Sequence, residues 1–402
     1  MKGRVYVAGL GVISAIGDSV AASLESFRSH RTGIGKLTLF NSVYADTLPV
    51  GQINLTNQEL AAQLDVSKDL SRTALLGLHA ARQAVIHSGL KLRDWRSGVI
   101  SATTVGGMDK TEDFFTAFAA NHNAGRLRKV IDHECGKSTE HIADDLGIRH
   151  HISTINTACS SSVNAIALGS RLIQNGVLDV VVAGGTDALS KFTLNGFNSL
   201  MILDQRPSRP FDASRSGLNL GEGAGFVVLV SEDVVKQTTQ GRKYVVSGYA
   251  NTNDAYHQTA SSPEGRGSFA AMTGALAMAG INKNDIDYIN LHGTGTVNND
   301  LSEGTAIRRL FGDDYPPMSS TKAFTGHTLG ASGGIEAVFS LMALEAGCLL
   351  PNLRFEAAIP EVGITPQQEY QDGINMKHVL SNSFGFGGNC SSIVLSKFNP
   401  GA

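Results

Sequence analysis

Short runs of β-branched and apolar residues alternate along the chain with longer segments that are rich in small residues. The short runs have the length and composition of buried strands, and the longer segments have those of helices. Strands are predicted at 5–9, 98–102, 177–183 and 226–230, and helices at 75–86 and 160–174. This alternation predicts βα units, in which helices cover a largely parallel sheet.

The segment 160–174 is apolar on nearly every side of its predicted helix. It contains Val163, Ile166 and Leu172, and its charge is confined to Arg171. A helix without a polar face is buried on all sides. We therefore expect this helix to lie centrally, between two layers of the fold.

The chain contains a weak internal repeat. Segments 98–107 and 288–296 each predict a strand that runs into a turn of glycine and threonine. Cys159 precedes one helix of small residues, and His327 precedes another in the same relative place. This order indicates a duplicated α/β half. A boundary near 240–243 divides the chain into halves 1–240 and 241–402, and we expect them to pack tightly because no low-complexity linker separates them.

Composition limits the classes of function. With 42% hydrophobic and 17% charged residues in 402, the chain can bury a large core, which excludes a disordered or fibrous protein. A net charge of −3 creates no global field for nucleic acid or anionic lipid, so we expect neither nucleic acid nor a membrane as partner.

The cysteines and the apolar segments indicate a cellular location. Four cysteines without CxxC spacing predict free thiols in a reducing compartment. The apolar stretch 5–16 is interrupted by glycines and fits a buried strand better than a secretory signal. No run approaches the roughly 18 apolar residues of a membrane span. We predict a cytoplasmic protein.

One cysteine stands among residues too small to be there for packing. Cys159 lies in Asn156-Thr-Ala-Cys-Ser-Ser-Ser162, directly before the predicted central helix. The free N–H groups and the dipole at a helix N-terminus favour a thiolate and lower its pKa. A lone cysteine is more often a buried packing residue. The surrounding serines leave room for a substrate and favour a nucleophile.

Two histidines stand at the same kind of turn, in corresponding places of the repeat. His292 stands in Leu291-His-Gly-Thr-Gly-Thr296, and His327 follows Lys322 in the second turn. A single histidine is more often a hydrogen-bonded core residue, but two of them with a helix-capped thiol form a constellation. Cysteine and histidine can build a hydrolase. Two histidines without a carboxylate in the motif better suit donors that stabilise an enolate, as a decarboxylative condensation requires.

These segments resemble, in order, a known family. The matching motifs are Asn156-Thr-Ala-Cys-Ser-Ser-Ser162, His292-Gly-Thr-Gly-Thr296, Lys322 to His327 and Asn382-Ser-Phe-Gly-Phe-Gly-Gly388, with further matches at 209–212, 221–225 and 262–267. Together they resemble the β-ketoacyl-acyl carrier protein synthases of the elongating, Cys-His-His type. The branched Val105 is similar to the synthase II pattern, and His327 argues against the Cys-His-Asn type, which starts chains from coenzyme A.

The resemblance implies a fold and a reaction. The fold is α/β, a thiolase-like αβαβα sandwich of two related halves, usually a homodimer. Cys159 takes an acyl group, and the backbone N–H groups of Cys159 and Phe386 hold its carbonyl oxygen. His292 and His327 bind the malonyl thioester and assist its decarboxylation, so the product is a β-ketoacyl-acyl carrier protein made in fatty acid elongation. No cofactor and no metal is expected, since the phosphopantetheine arm belongs to the carrier.

Further residues receive roles by the same resemblance. Lys322 supports the histidines, and Glu336 is its buried companion. Phe386 matches a gate residue. The substrate-binding positions are Val105 and Phe197 near the acyl tunnel, Thr294 and Thr296 at the pantetheine arm, and Phe384 in the C-terminal motif.

Two departures from the family pattern leave an alternative open. Asn389-Cys390 replaces the usual Thr-Asn, and Val297 replaces the usual proline. Both lie in loops that shape the site. The alternative is a ketosynthase of a specialised polyene or polyketide pathway, paired with a chain-length partner in a heterodimer. A non-catalytic chain-length subunit would lack the reactive cysteine, so Cys159 counts against that class.

Other charged clusters have weaker interpretations. The basic residues are Arg126, Arg128, Lys129, Arg206 and Arg209. They could steer an acidic acyl carrier protein, or form an ordinary solvated face. The histidines and cysteine between 133 and 151 fit no usual zinc spacing.

Overall fold

A computed structural model describes residues 3–238 and 243–398. Within these ranges the strands are β1 Val5–Ser14, β2 Ile34–Gly35, β3 Val50–Gly51, β4 Ser97–Ala102, β5 His151–Ile155, β6 Val180–Asp187, β7 Gly223–Ser231, β8 Tyr244–Asn253, β9 Tyr288–Asn290, β10 Met318–Ser319, β11 His378–Phe384 and β12 Asn389–Lys397. The α-helices are α1 Val20–Arg28, α2 Asn57–Leu64, α3 Arg72–Ser88, α4 Met108–Ala120, α5 Cys135–Leu146, α6 Ser161–Gln174, α7 Lys191–Ser199, α8 Glu232–Gln237, α9 Arg266–Ala279, α10 Val297–Phe311, α11 Lys322–Thr325 and α12 Ser332–Ala346.

Ten strands form one continuous hydrogen-bonded sheet, whose two five-stranded halves have the same design and are here called the first and the second sheet, and β2 and β3 form a separate pair. The first has the order β1-β7-β6-β4-β5, and the second has β8-β12-β11-β9-β10. In each sheet the first two pairings are antiparallel and the last two are parallel. The halves are therefore related, as predicted. They meet where β1 and β8 pair through Tyr6 with Val245 and Val7 with Tyr244.

The sheets are mixed, and the prediction of a largely parallel sheet is wrong for one strand in each half, β7 or β12, which runs antiparallel to both of its neighbours. β7 pairs antiparallel with β6, beginning with Gly223 opposite Asp187. The chain leaves the C-terminal end of β6, passes through α7 and a long loop, and enters β7 at the same end of the sheet. β7 therefore runs antiparallel to β6.

Five layers result from the placement of the helices. α6 and α12 lie between the two sheets, where α6 contacts β6 and β12, and α12 contacts β7 and β11. On the outer faces, α3 covers β1 and β7, and α9 covers β8 and β12. The αβαβα sandwich and the central position of the predicted helix 160–174 are both confirmed.

α12 is the most apolar helix of the central layer. All of its residues from Ser332 to Leu344 are buried. The stretch 329–346 is the one helical segment of the described residues that is long and apolar enough to cross a membrane, and 89% of it is buried inside the fold. Burial on all sides is the usual position of such a helix in a protein core.

The predicted first strand, 5–9, is longer than expected because two glycines have a packing role. β1 continues through Gly9 and Gly11 to Ser14. A Cβ at Gly9 would lie 2.0 Å from Ala84 O, and one at Gly11 would lie 2.0 Å from Ala80 O. These glycines let α3 approach the strand directly, and they do not end it. Most of the predicted boundary at 240–243 falls outside the described residues.

Candidate active site

Cys159 lies in a tight turn that leads into α6. Ala158, immediately before it, has a φ of 55°, which costs a non-glycine residue steric energy. Thr157 N–H donates to Ser161 Oγ at 2.8 Å and fastens the turn to the first residue of the helix. Cys159 therefore lies at the N-terminus of α6, as predicted, and is 7% exposed.

The thiol is protonated in the resting site. Burial raises the pKa of Cys159 to about 11, although the charge of Lys322 and the backbone N–H groups of Phe386 and Cys159 act in the opposite direction. The expectation of a lowered pKa is therefore wrong, because desolvation outweighs the groups that favour the thiolate. Cys159 must lose its proton during the reaction.

Two histidines reach Cys159 from the second half of the chain. His292 follows β9, and His327 follows α11. Cys159 Sγ and one ring nitrogen of each histidine lie within 4.8 Å of one another. The imidazole planes are 87° apart and their centroids are separated by 5.4 Å. The structure thus brings together the three residues of the predicted constellation, and all three are buried.

His327 presents a hydrogen-bond donor to the site. Its Nδ1 accepts from the backbone N–H of Leu329 at 3.0 Å, and Ser332 Oγ lies 3.2 Å from the same atom. Burial lowers the pKa of His327 well below its usual range, and the charge of Lys322 lowers it further. A neutral ring whose Nδ1 accepts must carry its hydrogen on Nε2.

His292 reaches the same state through a different partner. Lys322 Nζ lies 3.3 Å from His292 Nδ1, and an ammonium group can only donate. Burial lowers the pKa of His292 well below its usual range, with further contributions from Lys322 and His327. His292 is therefore neutral with its hydrogen on Nε2. The site contains two Nε2–H donors beside one thiol.

Lys322 is held by a buried carboxylate, as expected. Its Nζ forms a short ion pair with Glu336 Oε1. Ser383 Oγ lies 3.5 Å from the other carboxylate oxygen, Glu336 Oε2. Burial raises the pKa of Glu336 to about 6, and Lys322 opposes that rise. α12 thus anchors the lysine that orients His292.

The loop 385–388, here called the gate loop, lies directly on the thiol. A Cβ at Gly385 would lie 3.0 Å from Cys159 N, so glycine permits the close approach. Phe386 stacks on Phe197 of α7 with centroids 5.8 Å apart and planes at 16°. The backbone N–H of Phe386 is directed at the Cys159 sulfur, and this hydrogen bond favours the thiolate and lowers the pKa of the thiol.

Two cavities meet at Cys159. The first, about 330 Å³, is lined by both histidines, and also by Thr294, Thr296, Phe384 and Phe386. The second, about 410 Å³, lies along Phe197 and Phe386 and is bounded by Thr104, Phe192, Leu200 and Leu329. Cys159 belongs to the walls of both. The first cavity, here called the polar cavity for its histidines and threonines, also has apolar side chains in its wall, and the second cavity is mainly apolar.

Val105, unlike its neighbour Thr104, does not line either of the two cavities. It is buried in an apolar cluster with Leu189 and Leu194, against which Phe197 packs. The walls of the two cavities contain Thr104 and not Val105. The other four substrate-binding positions predicted from the sequence are wall residues.

Two domain models of one family together match most of the chain. The β-ketoacyl synthase N-terminal domain matches residues 2–234, and the β-ketoacyl synthase C-terminal domain matches residues 244–356. This chain belongs to the β-ketoacyl synthase family.

Named proteins resemble this β-ketoacyl synthase over nearly its full length. The 3-oxoacyl-[acyl-carrier-protein] synthase 2 of Staphylococcus aureus strain N315 is 32% identical, and the match covers 98% of each chain. The structure of the ishigamide ketosynthase/chain length factor is 27% identical with a TM-score of 0.93, covering 99% of this chain and 100% of the other. The ketosynthase ApeO in complex with its chain length factor ApeC from Xenorhabdus doucetiae is 31% identical with a TM-score of 0.86, covering 98% of each.

Sequence analysis missed a carboxylate that shapes the β-ketoacyl synthase site. Glu303 of α10 accepts from the backbone N–H of His292 at 2.9 Å and of Gly293 at 2.8 Å, and from Asn382 Nδ2 at 3.1 Å. Burial raises the pKa of Glu303 to about 7. One turn earlier, Asp300 accepts from Gly295 N–H at 3.2 Å. The available signal was this i, i+3 pair of acids just after the histidine motif.

The predicted basic residues of the β-ketoacyl synthase fall into two groups. Arg126, Arg128 and Lys129 line one surface recess together with Lys110. Arg206 and Arg209 lie on the loop between α7 and β7, where Arg206 approaches Asp204 and Arg209 bonds to Ser214. Two of the histidines between 133 and 151 have separate partners, Asp132 for His141 and Thr111 for His133.

Proposed function

We propose that this β-ketoacyl synthase condenses an acyl thioester with malonyl-acyl carrier protein, with loss of carbon dioxide, to give a β-ketoacyl-acyl carrier protein in fatty acid elongation. The observation that carries the proposal is the pair of neutral imidazoles, both with Nε2–H, beside one buried thiol. Two donors without a histidine base held by a carboxylate suit an enolate better than a hydrolytic water.

The first half-reaction transfers the acyl group. Cys159 Sγ bonds to the acyl carbonyl carbon, the C–S bond to the carrier breaks, and the thiol proton ends on the departing carrier thiol. The backbone N–H groups of Cys159 and Phe386 stabilise the negative oxygen that forms on that carbonyl. The acyl chain then occupies the mainly apolar cavity along Phe197.

The second half-reaction uses the polar cavity. The malonyl thioester carbonyl accepts from Nε2–H of His292 and His327, and Thr294 and Thr296 contact the pantetheine arm. The C–C bond to the malonyl carboxylate breaks, carbon dioxide leaves, and the electron pair forms an enolate that the two donors hold. Its carbon attacks the acyl-Cys159 carbonyl, and the C–S bond breaks to return the thiolate, which recovers a proton.

Lys322 and Glu336 act behind the histidines. The ammonium group of Lys322 donates to His292 Nδ1. The hydrogen of the neutral ring therefore stays on Nε2, which remains a donor. Glu336 balances the charge of Lys322 in a site that water does not reach. Neither group needs to touch the substrate.

Intact mass spectrometry tests the proposal. The protein is incubated with acyl-carrier proteins of graded chain length, and malonyl-carrier protein is then added. We expect an acyl adduct that maps to Cys159 and that discharges into a β-ketoacyl product two carbons longer. Free fatty acid as the main product would instead establish a hydrolase.

A ketosynthase of a polyene or polyketide pathway is the second candidate. Two structural relatives are ketosynthases with chain length factors, and one of them is 31% identical to this chain. The departures at Asn389, Cys390 and Val297 favour a specialised site. A folded protein that no donor acylates until a co-expressed partner subunit is present would support this candidate.

We further propose a homodimer in the cytoplasm. β5 is an edge strand, none of its residues is buried, and Ile152 is 41% exposed. Phe115 and Leu127 are also largely exposed. Exposed apolar side chains and an open strand edge support pairing with a second subunit. All four cysteines are free, in agreement with a reducing compartment.

We also propose that the two halves of the chain divide at 240/241. The gap between the two matched family domains supports this division.

A further inference from the structure

Asn389 is the first residue of β12 and follows the gate loop directly. Its side-chain oxygen, Oδ1, accepts from three side chains: Ser160 Oγ at 2.7 Å, Asn164 Nδ2 at 3.2 Å and Asn251 Nδ2 at 2.6 Å. Two of these donors lie at the N-terminus of α6, and the third lies on β8. One atom therefore joins the nucleophile helix to the second sheet.

The backbone of the same residue closes the gate loop. Gly385 N–H donates to Asn389 O at 2.8 Å, and this bond joins the two ends of the loop that carries Phe386. Asn389 is thus bonded to the gate loop through its carbonyl group and to α6 through its amide. Of the two N–H groups near the Cys159 thiol, one belongs to the gate loop and the other to the turn that leads into α6.

The residues on both sides of Cys159 share this network. Ser160 Oγ lies 3.0 Å from Thr157 Oγ1 and donates to Thr157 O at 2.7 Å. Asn164 Nδ2 also donates to Thr157 Oγ1 at 2.8 Å, and Asn164 Oδ1 accepts from Ser391 Oγ at 2.8 Å. The turn that contains the strained Ala158 is consequently held from both of its ends.

We propose that Asn389 is a positioning residue for acyl transfer, which fixes the backbone N–H of Cys159 relative to that of Phe386. The inference rests on the proposed transfer to Cys159, in which the new S–C bond replaces the S–C bond to the carrier and the thiol proton passes to the carrier thiol. The negative oxygen of that step requires both N–H groups at once. Losing the shared acceptor lets α6 and the gate loop move apart, while the two histidines keep their own supports on Lys322 and Leu329.

Three variants test the proposal. Asn389→Ala removes the acceptor, and Asn389→Asp keeps it but adds a negative charge. Asn175→Ala is the matched control, because Asn175 caps the opposite end of α6 and donates to Arg171 O. Single-turnover acylation by acyl-carrier protein is followed by intact mass spectrometry. Malonyl decarboxylation is measured separately in a Cys159→Gln background, and Tm is measured for every variant.

We expect Asn389→Ala to slow acylation at saturating donor by about 10- to 100-fold, the range that misplacement of a reacting group or loss of an oxyanion donor produces. The donor concentration for half-saturation and the decarboxylation rate should stay within about twofold of the parent, because the carrier site and the histidines are untouched. Asn389→Asp should recover most of the acylation rate, with its pH profile moved to higher pH, because a negative charge near Cys159 disfavours the thiolate. Asn175→Ala should acylate at the parent rate.

Three outcomes would overturn the inference. If Asn389→Ala acylates at the parent rate, the residue has no positioning role. If acylation and decarboxylation fall together with Tm, its role is only structural. If the parent protein itself is never acylated at Cys159, the proposed function fails, and the inference fails with it for a visibly different reason.

Discussion

At the scale of single residues, desolvation decides the state of every reactive group around Cys159. It raises the pKa of the thiol and lowers the pKa of both histidines, so three neutral groups face one another. Neutral groups cost less to bury than ions, and a neutral imidazole still has one N–H to donate. The negative charge appears only during the reaction, where the N–H groups are already aimed.

The raised pKa of Cys159 gives a pH dependence with a definite sign. A thiol with a pKa of about 11 is mostly protonated at neutral pH, so its thiolate fraction grows with pH up to that value. Alkylation of Cys159 by iodoacetamide should accelerate by about tenfold per pH unit between about pH 7 and 9. Peptide mass spectrometry follows this one residue, and Cys159→Ser gives the background. A rate that is already level at neutral pH would show a lowered pKa.

Separate roles of thiol and imidazole predict separate losses. Cys159→Gln should abolish acylation and leave malonyl decarboxylation, because both Nε2–H donors remain. His327→Ala should lower decarboxylation by about 100-fold or more, the usual cost of one lost oxyanion donor, with acylation less affected. Both rates are measured with the same carrier-bound substrates. Retained acylation in the glutamine variant would refute the nucleophile assignment.

At the scale of elements, the start of α10 contains one of the departures from the family pattern. Val297 is the first residue of the helix, is 57% exposed, and its N–H donates no hydrogen bond within the described residues. Thr296 before it has φ −85° and ψ 147°, which a following proline tolerates. Proline at the first helical position restricts the unfolded chain without a lost bond.

Val297→Pro should therefore stabilise the protein by about 0.4–1 kcal/mol. Denaturant unfolding measures the change, and KM for malonyl-carrier protein checks that the cavity mouth is unaltered. Val297→Ala, which lacks the ring, should not stabilise the protein in this way. A loss of stability in the proline variant would mean that the helix does not begin at this residue.

Sequence patterns predicted elements better than the contacts between them. The apolar segment 160–174 and the repeat were sufficient to predict the central helix and the two halves, because burial and duplication leave a local record. Gly9 and Gly11 were interpreted as a strand end, since nothing local shows that α3 packs on them. Glu303 was missed as a site residue for the same reason, and Asn389 was noted only as a departure from the family pattern, without its hydrogen-bonding role. Their partners lie far away in sequence, and only the fold brings them together.

At the scale of the whole molecule, the duplication explains how the site is assembled. Cys159 follows β5 and precedes α6, and His327 follows β10 and precedes α12. β5 and β10 occupy the same place in their sheets. The two reactive residues are therefore equivalent positions of the repeat, and the packing of α6 against α12 makes them face each other. A tight interface between the halves is a condition for catalysis.

The surface charge predicts how a carrier protein reaches this site. Lys110, Arg126, Arg128 and Lys129 line one recess on a molecule whose net charge is −3, so any attraction for an acidic carrier is local. Reversing Arg128 and Lys129 to glutamate should raise KM for carrier-bound substrate by about tenfold, and added salt should reduce the difference from the parent protein.

Small thioester substrates separate docking from chemistry in this experiment. An acyl-N-acetylcysteamine thioester has no protein surface, so the double variant should use it at the parent rate. Lys236→Glu on α8, a reversal of one exposed lysine away from the recess, controls for half of the change in net charge, since each reversal changes the net charge by two units. Equal loss with carrier-bound and small substrates would mean that the recess supports the fold near Asp113, to which Lys129 bonds at 3.1 Å. A selective loss would instead identify the recess as the part of the surface where the carrier binds before its arm enters the polar cavity.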